Sequence, residues 1–193
     1  MSRSRTSSED RTGGRIVVLS GPSGVGKTTV AGRLLEDPVF ERVVTATTRA
    51  PRPGEEDGRD YHFLDPAEFE RRRAAGAFVE WAEVYGHRYA TPRAEIESIR
   101  ARCKTPLLVV DIQGAEQIRD SGLPAVFVFL LPPDAETLQD RLAGRGTERE
   151  GQRDRRLEKA AAEIARAGWF DHRIENRHLE ETMRRVRAAL GLA

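Results

Sequence analysis

The chain has 193 residues, a length that fits one domain with small insertions. Hydrophobic residues make up 38% and 17 residues are glycine, an ordinary globular mixture that excludes a wholly disordered chain. With 32 basic and 31 acidic residues the net charge is +1. A global basic field that would gather nucleic acid or anionic lipid is therefore absent, and anion binding has to come from a local cluster.

Residues 1–14 are rich in Ser, Arg, Thr and Gly, lack an apolar h-region and carry Glu9 and Asp10. They read as a disordered tail, neither a secretory signal nor a transit peptide. Residues 15–20 form a short apolar, β-branched run that predicts a buried strand. A glycine-rich turn follows, then a helix over 28–36 with Val30, Leu34 and Leu35 at helical spacing, stopped at Asp37-Pro38. Residues 42–47 read as a second strand. Residues 48–60, with Pro51, Pro53, Gly54 and Gly58, read as a loop.

Asp65-Pro66-Ala67-Glu68 combines an N-cap, a proline at the first helical position and an acid at the third, and predicts a helix to about residue 75. A strand over 78–85 comes next, then a helix opened by Thr91-Pro92 and running to about 103. An apolar strand over 107–110 ends at Asp111, followed by a short helix over 115–120 and a buried strand over 125–131 that Pro132-Pro133 stops. Residues 134–143 read as a helix, 144–153 as a polar mobile loop, 154–167 as a helix, 173–175 as a last strand and 179–190 as a final helix. Buried strands alternating with amphipathic helices imply an α/β fold whose sheet is largely parallel and flanked by helices. The apolar run 125–131 is far short of the roughly twenty residues that a membrane-spanning helix needs, so no membrane span is expected. The single cysteine, Cys103, permits no internal disulfide and fits a reducing, cytoplasmic setting.

Gly21-Pro22-Ser23-Gly24-Val25-Gly26-Lys27-Thr28 fits G-x-x-x-x-G-K-[ST] at every position, directly after a predicted strand and directly before a predicted helix. Glycines let backbone N–H groups turn inward around a phosphate, and the helix N-terminus adds its positive end. Lys27 would reach the β- and γ-phosphates, and the Thr28 hydroxyl would ligate Mg²⁺. This predicts a nucleoside triphosphate site and, in a chain of this length, phosphoryl transfer to a small molecule. Such a kinase needs a second anion site facing the first and a means of excluding water. Arg49 and Arg52 flank Pro51 in a loop stiffened by proline and offer such a site, with Tyr61 and Tyr89 as further donors. Taken alone, such a loop is more often a solvated turn.

The whole pattern resembles guanylate kinase from about residue 15 to residue 190. The matching pieces are residues 20–28, Thr47-Thr-Arg-Ala-Pro-Arg-Pro-Gly-Glu55, Gly58-Arg-Asp-Tyr-His-Phe63, Glu80-Trp-Ala-Glu-Val-Tyr-Gly86, Tyr89-Ala-Thr91, Asp111-Ile-Gln-Gly-Ala115 and Gly144-Arg-Gly-Thr-Glu148, in matching order and spacing. The resemblance implies a P-loop kinase core, an acceptor-binding region over about 45–93 and a lid over about 144–156, all within a single unit spanning 15–193. It implies transfer of the γ-phosphoryl group of ATP to GMP and dGMP with Mg²⁺ as cofactor. Donor binding would use residues 21–28, Thr29 and Asn176, the last near the adenine. Acceptor binding would use Thr45, Arg49, Arg52, Tyr61, Glu80, Tyr89, Thr91 and Asp111, with Glu80 reading guanine and Asp111 touching the base or the Mg²⁺ hydration shell. Arg141, Arg145 and Arg156 would close over the triphosphate, joining Lys27 and Arg49 in catalysis.

The match breaks at three places. Val109 stands where the family pattern usually carries an acid two residues before Asp111, Ala90 where it usually carries glycine, and Thr45-Ala46 at a position usually opened by serine. These departures keep two alternatives open: a related P-loop kinase acting on another nucleotide or a sugar phosphate, and a non-catalytic guanylate-kinase-like binding module. The sequence leaves homo-oligomerisation open.

Overall fold

The computed structural model describes residues 15–84, 86–143 and 150–192; for 142–143 and 150–156 it describes the backbone alone. The expected tail, residues 1–14, lies outside the described residues.

Five strands form the central sheet: β1 (Ile16–Ser20), β2 (Phe40–Arg42), β7 (Thr105–Val109), β8 (Ala125–Leu131) and β9 (His172–Glu175). Their spatial order is β2-β7-β1-β8-β9, and every pairing is parallel. The alternating pleat of β1 sends its side chains to two different cores. Val17 and Leu19, with Val128 and Leu130 of β8, pack under α1 (Lys27–Leu35) and α7 (Leu179–Ala189) through Val30, Leu34, Met183 and Val186. Ile16 and Val18, with Phe127 and Phe129, pack under α3 (Arg93–Ala101) and α4 (Ile112–Asp120) through Ile96, Ile99, Ala115 and Ile118. A sheet buried on both faces accounts for strands that read as continuous apolar runs. The expectation of an α/β fold with a parallel sheet between helices matches this architecture.

A second, four-stranded sheet stands beside the first. It contains β3 (Ala46–Thr47), β4 (His62–Phe63), β5 (Phe78–Val84) and β6 (His87–Pro92), in the order β4-β3-β6-β5. Helix α2 (Pro66–Ala74) joins β4 to β5 along the chain and is capped by Asp65, whose carboxylate accepts from the Glu68 N–H at 2.8 Å. Helices α5 (Ala135–Ala143) and α6 (Glu150–Arg166) complete the chain.

Three differences from the sequence reading have physical causes. The single strand expected over 42–47 is two. Phe40–Arg42 pairs with β7, the Val43 N–H makes a last tie to the Leu107 carbonyl at 3.1 Å, and the chain then crosses to pair Ala46 and Thr47 with Ala90 and Tyr89. An apolar run does not reveal that it changes partners midway. Residues 91–92, expected to open a helix, instead end β6, and the helix begins at Arg93 because Pro92 sits in extended geometry. Helix α6 starts at Glu150 instead of 154; residues 144–149 of the expected loop lie outside the described residues.

Candidate active site

The glycine-rich turn emerges between β1 and α1, at the carboxyl end of the parallel sheet, where ligands of such folds bind. Gly26 caps α1 in left-handed geometry, φ 101°. The Lys27 ammonium folds over the start of the turn and donates to the Gly21 and Pro22 carbonyls, the latter at 3.0 Å. Ser23, Thr28 and Thr29 are exposed, whereas Gly21, Pro22 and Val25 are buried.

A cavity of about 410 Å³ lies between α1, which this turn opens, and the second sheet. Thr28 and Gly32 of α1, Val109 at the end of β7, and Thr45, Tyr61 and Thr91 from the second sheet all line it. The structure thus brings Thr28 face to face with three residues expected to bind the acceptor. Val109, at the position where an acid was expected, is 41% exposed. It presents an apolar wall to this cavity. Ala90, the second departure, pairs directly with Ala46 across β6 and β3, and both are fully buried. Two small side chains facing each other absorb the extra methyl.

Glu80 owes its position to a bulge. The register of β5 against β6 shifts between Phe78, opposite Pro92, and Glu80, opposite Thr91. Val79 and Glu80 are in consequence both buried, breaking the strict alternation of a strand, and Val79 joins the core while the carboxylate is freed for another direction. Glu80 is 8% exposed and accepts from its cross-strand neighbour, the Thr91 hydroxyl, at 2.6 Å. Burial pushes its carboxyl up to about 7, the Thr91 hydrogen bond opposes that, and the Asp111 charge adds to it. Gln117 clamps the strand from α4: its amide accepts from the Trp81 N–H at 3.1 Å and donates to the Trp81 carbonyl at 2.9 Å.

Gly114 leaves room for the carboxylate. A Cβ there would lie 3.2 Å from Glu80 Oε2 and 3.1 Å from the Val110 Cβ, which cannot retreat. Gly114→Ala is expected to destabilise the fold by about 1–3 kcal/mol, the range for overpacking a filled site. A lower urea midpoint at unchanged slope is the reading that supports this; an unchanged midpoint means that the carboxylate moves freely.

Asp111 caps α4, its Oδ1 accepting from the Gly114 N–H at 2.9 Å. Arg49 is drawn in beside the tyrosines. Its side chain is 11% exposed, its guanidinium bonds both oxygens of Glu55 at 2.9 and 3.0 Å, and it stands 5.4 Å from the centre of the Tyr61 ring. Tyr61 in turn meets Tyr89 edge-on at 6.1 Å. Arg52 does not join them: it is exposed on the loop, and its N–H donates to Glu55 at 2.7 Å. Arg141 donates to the backbone carbonyls of Val25 and Asn176, at 3.4 and 3.1 Å. Arg145 and the side chain of Arg156 lie outside the described residues.

Sequence reasoning missed Glu163. It is 6% exposed on α6, and Lys159 Nζ stands 3.7 Å from its Oε1. Burial raises its carboxyl, the neighbouring charges of Lys159 and Lys27 lower it, and Asp111 raises it. The signal was available: Ala160, Glu163 and Ala167 share the buried stripe, so an acid stands on an otherwise apolar helix face.

The chain matches the guanylate kinase family over residues 13–192. It belongs to the guanylate kinase family. A guanylate kinase from Oleidesulfovibrio alaskensis is 46% identical over 177 residues, 91% of this chain and 86% of that protein. One from Mycobacterium bovis is 48% identical over 170 residues, 86% of this chain and 82% of that one. The crystal structure of guanylate kinase from Anaplasma phagocytophilum superposes with a TM-score of 0.67 at 38% identity, covering 91% of this chain and 84% of its own.

Proposed function

We propose that this guanylate kinase family member transfers the γ-phosphoryl group of ATP to GMP and dGMP, giving ADP with GDP or dGDP. The observation that carries this reading is a cavity that Thr28 of a complete phosphate loop shares with Thr45, Tyr61 and Thr91, the last of which donates to the buried carboxylate of Glu80, in a chain of this family. A phosphate oxygen of the acceptor attacks the γ-phosphorus, and the bond to the ADP oxygen breaks. The attacking acceptor oxygen is already anionic, so no general base is required, and catalysis consists of positioning and charge neutralisation.

In this reading residues 21–29 hold the donor phosphates, with the Lys27 ammonium supplying positive charge. Arg49, Tyr61 and Tyr89 hold the acceptor phosphate, with Glu55 keeping the guanidinium in place until the phosphate arrives. Thr45 and Thr91 flank the base, and residues 45–93 constitute the acceptor-binding region. Glu80 accepts hydrogen bonds from N1–H and the 2-amino group of guanine, two adjacent donors that adenine lacks. A sugar phosphate has no such edge to match. The donor set fits Mg²⁺: the Thr28 hydroxyl and the Asp111 carboxylate are hard oxygen ligands of the kind this ion takes beside phosphate oxygens and water. When bound, Mg²⁺ supplies neutralisation of the β- and γ-phosphate charge. The reaction belongs to purine nucleotide metabolism in the cytoplasm; the free Cys103 suits that setting, and no helix among the described residues is long and apolar enough to cross a membrane.

The test is ADP formation by the purified protein with ATP and Mg²⁺, offering GMP, dGMP, AMP, UMP and CMP separately. GMP and dGMP are expected to exceed the others in kcat/KM by at least about 10²-fold, because an unmatched buried carboxylate penalises the wrong base. A panel in which AMP or UMP equals GMP rejects the assignment.

A further inference from the structure

The resemblance to the family puts Asn176 near the donor's adenine. Its side chain is built into the back of the phosphate loop. Asn176 follows β9, is 7% exposed, and has its own N–H tied to the Leu131 carbonyl at 2.8 Å. Its Nδ2 donates to the Val25 carbonyl at 2.7 Å. Its Oδ1 accepts from the hydroxyl of Thr182, a fully buried residue of α7, at 2.9 Å. Its backbone carbonyl receives Arg141, which also reaches the Val25 carbonyl. Gly26 completes the fit: a Cβ at that position would lie 2.5 Å from Asn176 Nδ2.

The bond to Val25 has a geometric consequence. The peptide unit between Val25 and Gly26 is planar and trans, so its C=O and N–H point in opposite directions. Holding the Val25 carbonyl inward turns the Gly26 N–H outward, at the start of α1, where the helix end also favours negative charge. A backbone N–H oriented in advance loses less entropy when an anion arrives.

We propose that Asn176 is a positioning residue for the donor's phosphates. Acting through the Val25 carbonyl, it presents the Gly26 N–H to the triphosphate, and Thr182 fixes the orientation of its amide. The inference rests on the reading that this loop carries the donor triphosphate. It differs from base recognition in one respect: the role is blind to the donor's base.

Asn176→Asp sets a carboxylate oxygen against the Val25 carbonyl. With GMP saturating, it is expected to raise the KM of ATP, ITP and UTP by a common factor of about tenfold or more, the scale of one lost hydrogen bond plus repulsion. The preference among donors should hold within about twofold, and KM for GMP should not change. Thr182→Val, nearly isosteric, should raise all three donor KM values by about threefold. If ATP alone weakens, sinking to the level of UTP, Asn176 reads adenine and the proposal is wrong; it is equally wrong if no donor KM moves. A measurement on the unaltered protein covers the case in which both variants fail to fold. The ¹⁵N resonances of the Asn176 side chain and the Gly26 amide should shift alike with ATP, UTP and inorganic tripolyphosphate. An Asn176 response confined to ATP overturns the inference alone. Binding of none of the three probes at Gly24–Thr28 overturns the triphosphate reading itself, and the inference with it.

Discussion

Replacing Lys27 by alanine is expected to lower kcat for ADP formation by about 10³- to 10⁵-fold while leaving GMP affinity within about threefold. The magnitude is that of a single cation contributed to a phosphoryl-transfer transition state. The reaction as proposed uses no general base, so charge neutralisation carries most of the barrier reduction, and removing the one lysine of the loop removes the positive charge placed within the loop itself. The selectivity follows from the geometry. Lys27 opens α1, and its ammonium folds back over the turn after β1 to donate to the Gly21 and Pro22 carbonyls. Glu80, Thr91 and the Arg49–Tyr61–Tyr89 cluster belong to the second sheet. Losing the charge-assisted bonds to Gly21 and Pro22 costs at most about 1.5–3 kcal/mol each, and less at this half-buried ammonium. Single-turnover kinetics and calorimetric titration with GMP separate the two effects. A fall in kcat of less than tenfold, or a parallel loss of GMP affinity, contradicts this account of the loop.

Much of the fold was legible because the central strands are buried on both faces and announce themselves as apolar runs. Residues 125–131 were read as β8 at the same bounds that the structure has. The phosphate loop was legible for a different reason: its chemistry demands specific residues at consecutive positions. Of the second sheet, β5 was read almost at its observed bounds, whereas β3 and β4 span two residues each and β6 is polar at several positions, so none of these three carries a periodicity. Their existence depends on pairing partners far along the chain. The same limit applied to the site. Glu80 was identified from the resemblance, but the bulge that aims it and the Gln117 clamp that holds its strand are long-range facts. Asn176 shows the limit most directly. A motif position names the residue type, whereas the bond to Val25 tells what the side chain touches.

Replacing Glu80 by glutamine is expected to act on recognition and stability in opposite directions. As proposed, the carboxylate accepts two hydrogen bonds from guanine, each worth about 1.5–3 kcal/mol because one partner is charged. Glutamine keeps an acceptor for the Thr91 hydroxyl but turns a donor toward the guanine edge, so kcat/KM for GMP should fall by about 10²- to 10⁴-fold, with AMP changing less than tenfold. The carboxyl's position near 7, against 4.5 in the unfolded chain, sets the pH behaviour. Because the folded state binds the proton more tightly, the stability that this group contributes is fully present below about pH 4.5 and is lost as pH rises through about 7. Above that, the buried charge costs on the order of 3 kcal/mol, from a shift of roughly two and a half units. Glu80→Gln should accordingly melt higher than the parent at pH 8 and match it near pH 4. In the parent, KM for GMP should rise about tenfold per pH unit below about 7, since only the ionised form accepts both bonds. The acceptor phosphate titrates near pH 6 and produces a limb of its own. The variant should retain that limb and lose the one near 7. If the variant keeps the parent's GMP-to-AMP preference within tenfold, guanine is read elsewhere in the cavity, and the carboxylate is a cost that the fold bears for another reason.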